Sequence, residues 1–124
     1  MKDKIQKKEL RSLMKMAKKI IKKETLKKIK SIPQEEQVHA LKFSLISYFK
    51  NEFHDLNIKI KNLENKKNDL FFIKNDLILV PSKIKHFAVD YNSSDFYKLS
   101  ILIQNIKKEL ENVIRINFIK LLNI

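Results

Sequence analysis

The amino-acid sequence predicts an α+β fold: two N-terminal helices, then a small antiparallel or mixed sheet with one further helix, in the order α-α-β-β-β-α-β. Two observations carry that expectation. Apolar residues recur every three to four positions up to about residue 66, which is the helical period, and then give way to apolar runs and alternation, the period of strands. The length of 124 residues is close to that of one ordinary domain. Residues 1–124 are therefore expected to form a single domain in which helices cover the sheet.

Residues 1–31 read as a basic amphipathic helical segment. Leu10, Leu13, Met14, Ala17, Ile20 and Ile21 fall on one helical face. At 100° per residue, Lys8, Arg11, Lys15, Lys18, Lys19, Lys22 and Lys23 fall on the other. The apolar stripe falters at Glu24 and Thr25, and Lys28 occupies an apolar-face position, so the helix is expected to end or kink there. Pro33 marks a new start, with Ser31 or Ile32 capping and Glu35 and Glu36 in the first turn. Over residues 33–66, Val38, Leu41, Leu45, Phe49, Phe53, Leu56, Ile60 and Leu63 form one apolar stripe, widened by Ile46 and Tyr48. A straight helix of that span would be roughly 50 Å long, against a radius of gyration of about 14 Å for a compact domain of this size. Either it breaks near Asn57, or it projects and pairs with another chain.

Residues 69–124 read as β-β-β-α-β. Leu70 to Val80 is apolar, with Lys74-Asn75 at its middle, and suggests a hairpin. Pro81-Ser82 suggests a turn, and Phe87, Val89 and Tyr91 alternate as a third strand. Asn92-Ser93-Ser94-Asp95 has the chemistry of a helix N-terminus, with a Ser cap. Phe96, Leu99, Leu102, Ile103, Ile106, Leu110 and Val113 carry the helix that follows. Ile114, Ile116 and Phe118 alternate again as a last strand.

Composition narrows the function. The net charge is +13, and the first 31 residues hold 13 Lys or Arg against Asp3, Glu9 and Glu24, a net +10. Lys is used 25 times and Arg twice, beside many Ile and Asn, the usage of an AT-rich genome, which explains part of the excess but not its front loading. Such a block attracts polyanions. Zero Gly rules out GxGxxG, Walker A, the G-x-S-x-G elbow and the GxxG loop of KH domains, all of which need glycine for close backbone approach. Zero Cys removes disulfides, thiolate metal sites and Cys nucleophiles. No apolar run is long enough to span a membrane, and no signal-peptide h-region is seen. The expectation is a cytoplasmic protein with no cofactor.

Other candidate sites read as structure. Phe71, Phe72, Phe87 and Tyr91 could stack single-stranded bases, but on strands they fit the core better, and alternation lets at most one of Phe71 and Phe72 face solvent. His39, His54 and His86 are too dispersed for a metal site. Glu35-Glu36 and Glu109/Glu111 read as solvated carboxylates, and Ser93 and Ser94 as caps with no base beside them.

The run Leu77-Ile78-Leu79-Val80-Pro81-Ser82, followed by an amphipathic helix and Ile114-Arg115-Ile116-Asn117-Phe118, resembles the DciA-like replicative helicase loaders. The resemblance covers residues 69–119. It implies a small KH-like domain without a GxxG loop that binds DNA and the helicase, and with it an accessory part in DNA replication. No site residue comes from it.

The expected function is non-enzymatic nucleic-acid binding, to DNA or RNA, through Lys8, Arg11, Lys15, Lys18, Lys19, Lys22 and Lys23. It would be directed at the backbone and largely independent of sequence, because Lys lacks the bidentate geometry of Arg. The alternative is a protein–protein module, with a partner or a homodimer held by the stripe on residues 38–63 of the second helix. A third is membrane-surface attachment by the basic helix.

Overall fold

The computed structural model describes residues 2–64 and 69–123, with side chains from Lys7 onward, and within them every regular element is a helix. These are α1 (Lys2–Ile20), α2 (Lys23–Lys30), α3 (Gln34–Glu64), α4 (Phe71–Asp90) and α5 (Ser93–Leu122). The α+β expectation is therefore wrong: among the described residues there is no strand and no sheet.

Every residue assigned to a strand lies in α4, at its N-cap or C-cap, or in α5. The reason is a stripe that outranks local β propensity. Leu70, Ile73, Leu77, Val80, Ile84 and Phe87 follow one another at spacings of three and four, and all are buried. The expected hairpin turn at Lys74-Asn75 is exposed helix surface, and Pro81-Ser82 lies inside α4. The third strand is the last turn of α4, with Tyr91 as its C-cap. The last strand, Ile114 to Phe118, is the continuation of α5. The run quoted for the helicase-loader resemblance is likewise helical, so residues 69–119 do not form the KH-like domain that it implies.

α3 is the spine. It is continuous for 31 residues, about 46 Å, and neither breaks at Asn57 nor leaves its stripe bare. Val38, Leu41, Leu45, Phe49, Leu56, Ile60 and Leu63 are all buried within the same chain. α1 and α2 pack on α3, as do α4 and α5, and α4 and α5 form an antiparallel pair. The rod fits because the bundle is itself elongated. Residues 65 and 66 of the expected 33–66 helix lie outside the described residues.

At the centre, Phe49, Phe87 and Phe96 meet edge-on or tilted with ring centroids 5.7–6.0 Å apart, joining α3, α4 and α5. Leu13, Met16 and Ala17 of α1 and Leu26 and Ile29 of α2 complete the same cluster, and no polar side chain is buried in it among the described residues. Ion pairs tie the helices outside this core: Glu9 to Lys42 at 2.8 Å, Glu52 to Lys107 at 2.8 Å, and Glu64 to Lys74.

A chain without glycine must close its turns by other means. Tyr91 adopts φ 51°, ψ 38°, a left-handed conformation costing a non-glycine residue about 1–2 kcal/mol. Its N–H donates to the Phe87 carbonyl at 2.8 Å, its ring packs on Phe87 at 5.1 Å, and the Lys42 ammonium sits 5.2 Å from its centroid. Asn92, rather than a serine, caps α5: its side chain accepts the Asp95 N–H at 2.8 Å and donates to the Asp95 carboxylate at 2.9 Å. Ser31 likewise ends α2 instead of starting α3, its hydroxyl donating to the Lys28 carbonyl at 2.6 Å. Gln37 steadies that corner by donating to the Ile32 carbonyl at 2.7 Å.

Candidate nucleic-acid interface

The seven predicted cations are all exposed, but they do not share one straight helix. α1 ends at Ile20, earlier than the break expected near Glu24, and the chain turns through Ile21 and Lys22 into α2. Lys8, Arg11, Lys15, Lys18 and Lys19 stand on α1, Lys22 is the N-cap of α2, and Lys23 opens that helix. The cause of the face is the packing of its opposite. Leu13, Met16 and Ala17 are buried while Leu10, Met14, Ile20 and Ile21 rest on the core, so the remaining positions of α1 must look outward.

The fold then brings these cations against other elements. Arg11, Lys15 and Lys19 border a shallow cleft of about 400 Å³ between α1 and the first turn of α5, with Ser93, Phe96 and Tyr97 on its far side. Tyr97 is 64% exposed, so this cleft sets an aromatic ring beside three cations. It also adjoins the N-terminus of α5, where backbone dipoles add partial positive charge. A second cleft of about 410 Å³ lies at the α1–α2 corner, where Lys18, Lys23, Lys27 and Lys30 surround Ile21 and Leu26. Lys8 stands apart in a third, with Asp90, Tyr91 and Asn92.

Negative charge near this surface is sparse and partly engaged. Glu9 is held by Lys42, and the other acids of α1 and α2 are Asp3 and Glu24. None of the seven cations takes part in an ion pair among the described residues.

Sequence reasoning missed Tyr97, Lys27 and Lys30. Lys27 and Lys30 were legible as i, i+3 neighbours on one helix. Tyr97 joins the surface only because α5 begins beside α1, a tertiary fact with no local sign.

The remaining candidates fall elsewhere. Phe87 is buried, as expected, but Phe71 and Phe72 are 63% and 73% exposed. On a helix, adjacent side chains diverge by about 100°, and both miss the stripe that runs from Leu70 to Ile73 and onward. Their rings touch each other at 5.5 Å. His39, His54 and His86 remain dispersed and exposed, and the described residues contain no grouping able to hold a metal ion. His86 lies 3.5 Å from the Asp95 carboxylate. Glu35 and Glu36 are exposed on the first turn of α3, and Ser93 and Ser94 are exposed where α5 opens.

The perturbed groups belong to scaffolding. Partial burial and then the Glu52 carboxylate push the Tyr48 hydroxyl above its ordinary value. Burial pulls Lys107 down, but its hydrogen bond and ion pair with Glu52 outweigh this and leave it raised. Burial, then the charge of Asp76, raises Glu109. Among the described residues, no helix is long and apolar enough to cross a membrane. Comparisons with protein-family models, curated proteins and solved structures find no match to this chain.

Proposed function

We propose that this chain is a non-enzymatic nucleic-acid-binding protein that grips phosphate backbone with the outward face of α1 and the α1–α2 corner. The observation supporting this reading most strongly is the set of seven exposed cations that no carboxylate pairs among the described residues. Holding such a set together costs repulsion, which a polyanion relieves with release of its counterions. Lys contacts of this kind read backbone, not base edges, so binding is largely indifferent to sequence.

Two other readings fare less well. Attachment to a membrane surface needs the apolar face of the basic helix, yet Leu13, Met16 and Ala17 are buried in the protein core. A partner or homodimer seated on residues 38–63 of α3 meets the same obstacle, because that stripe is covered by the chain's own helices. A part in DNA replication rests on the helicase-loader resemblance alone.

The test is binding to a generic oligonucleotide, duplex or single-stranded, over a salt series. If five cations meet phosphates, log K falls against log salt with a slope of about −4.5 on duplex and about −3.5 on single strands. Replacing Lys15, Lys18, Lys19 and Lys22 together by Glu should remove most of the binding while far-UV circular dichroism stays unchanged, since all four are exposed. Unaltered affinity in that folded variant refutes the proposal.

A further inference from the structure

The two ends of the bundle differ. α4 has 20 residues and α5 has 30, and they run antiparallel from the Tyr91-Asn92 turn, so α5 outreaches α4 by about ten residues, or roughly 15 Å. α1 meets α5 at its first turn, which is the opposite end. Among the described residues, the last three turns of α5 therefore lack the cover that the rest of the helix has.

Those turns are not polar. Ile114, Phe118, Leu121 and Leu122 stand at i, i+4, i+7 and i+8, one continuous helical face that prolongs the buried stripe from Leu110. They are 48%, 61%, 74% and 69% exposed. Phe71 and Phe72, equally bare, open α4 at the same end of the molecule. Six large side chains exposed to this degree leave on the order of 700 Å² of apolar surface, near the ≈ 800 Å² per partner of a standard stable interface.

Charge indicates what covers it. Residues 111–122 carry Glu111, Arg115 and Lys120, and residues 71–80 carry Lys74 and Asp76, a net of only +1 beside the +10 of the first 31 residues. An acidic partner would be drawn to the basic end instead. An anionic bilayer would need cations bordering the apolar face, and here they are nearly balanced. A second copy of the same neutral apolar surface meets neither objection. The basic ends of two copies would also stand far apart, since α3 alone is about 46 Å long and the screening length in physiological salt is about 8 Å.

We propose that this end of the bundle is a self-association surface, on which the α5 tails of two copies pair antiparallel about a two-fold axis with Phe71 and Phe72 beside the seam. Such a contact is isologous, each tail serving as the other's cover. The dimer carries a basic surface at each extremity, leaving both free.

Sedimentation equilibrium on the full chain, from micromolar to submillimolar protein, tests this. The wild type should approach twice the 14.8 kDa chain mass. The double variant Phe118→Glu, Leu121→Glu should remain at the single-chain mass with its helical circular dichroism intact. Leu122→Glu alone, in the last turn of α5, provides a milder second variant and should weaken association at least tenfold. A wild type that stays monomeric throughout overturns the proposal, as does a folded double variant that still dimerises or a Leu122→Glu variant that associates as tightly as wild type. Flotation with neutral phosphatidylcholine vesicles, lost in the variants, would assign the face to a bilayer and also overturn it.

Discussion

Pro81 is the eleventh residue of the 20 in α4, where proline is at its most costly. It has no N–H to give the Leu77 carbonyl, and its ring crowds that same carbonyl. Relative to Ala in a helix interior the penalty is about 3 kcal/mol. Pro81 is exposed, so its ring contributes little burial that Ala would forfeit. Alanine gives back about 0.4–1 kcal/mol by freeing the unfolded chain. The substitution Pro81→Ala should therefore stabilise the protein by about 2 kcal/mol, raising Tm by roughly 6–10 °C for a domain of this size. The sign is diagnostic. Were Pro81-Ser82 a turn between strands, proline would be pre-set for that turn and alanine would cost stability. Urea and thermal unfolding followed by far-UV circular dichroism measure the difference, with an unchanged urea m-value showing that only stability has moved. A variant equal to or less stable than wild type would refute the helical placement of Pro81.

Two further perturbations probe the turn and the α4–α5 seam. Asn92→Ala removes the side chain that accepts the Asp95 N–H and should lower unfolding free energy by about 1 kcal/mol; no loss in a urea titration would deny Asn92 its capping role. Glu109 is raised by burial and then by Asp76, and its Oε2 lies buried with no hydrogen-bond partner. With the folded value above the unfolded one, the stability that protonation contributes is present in acid and lost as pH rises through the raised value. Glu109→Gln should accordingly be more stable than wild type at neutral pH, with the gap closing in acid; equal urea midpoints at neutral pH would contradict this.

The helical half of the fold was legible because its signals agreed. In α3 the stripe, the Pro33 start and the acidic first turn all point the same way, and of the buried residues of α1 only Met16 is absent from the stripe read in the sequence. In α4 they conflict. Phe71, Phe72, Ile78 and Leu79 add apolar residues beside the stripe, so that residues 70–80 look like an unbroken β-prone run, and Pro81 looks like its end. Yet the spacing from Leu70 through Ile73, Leu77, Val80 and Ile84 to Phe87 crosses Pro81 without losing phase. A stripe of that length buries five turns of helix against α3 and α5, and the gain from burying large side chains, about 1.5–3 kcal/mol each, exceeds what one proline costs. At Ile114, Ile116 and Phe118 the alternation had a different origin. Ile114 and Phe118 share the face that prolongs the core stripe and Ile116 lies off it, so apolar residues on two faces of one helix imitate a strand.

The candidate interface was readable in its members and not in its shape. Charge counts identify Lys8 to Lys23 without any knowledge of packing, since exposure follows once Leu13 and Ala17 are assigned to the core. The clefts are another matter, because they depend on where α5 starts and how sharply α1 turns into α2. The same limit explains why the apolar stripe of α3 suggested a partner when the chain itself supplies one. Seen from one helix, uncovered and covered stripes are identical, and only the number and length of the neighbours separates them. α3 has α1 and α2 over one half and α4 and α5 along it; α5 outruns α4 by ten residues. Uncovered apolar surface does exist, but length mismatch puts it on the tail of α5, at the end of the molecule where little charge would oppose its burial.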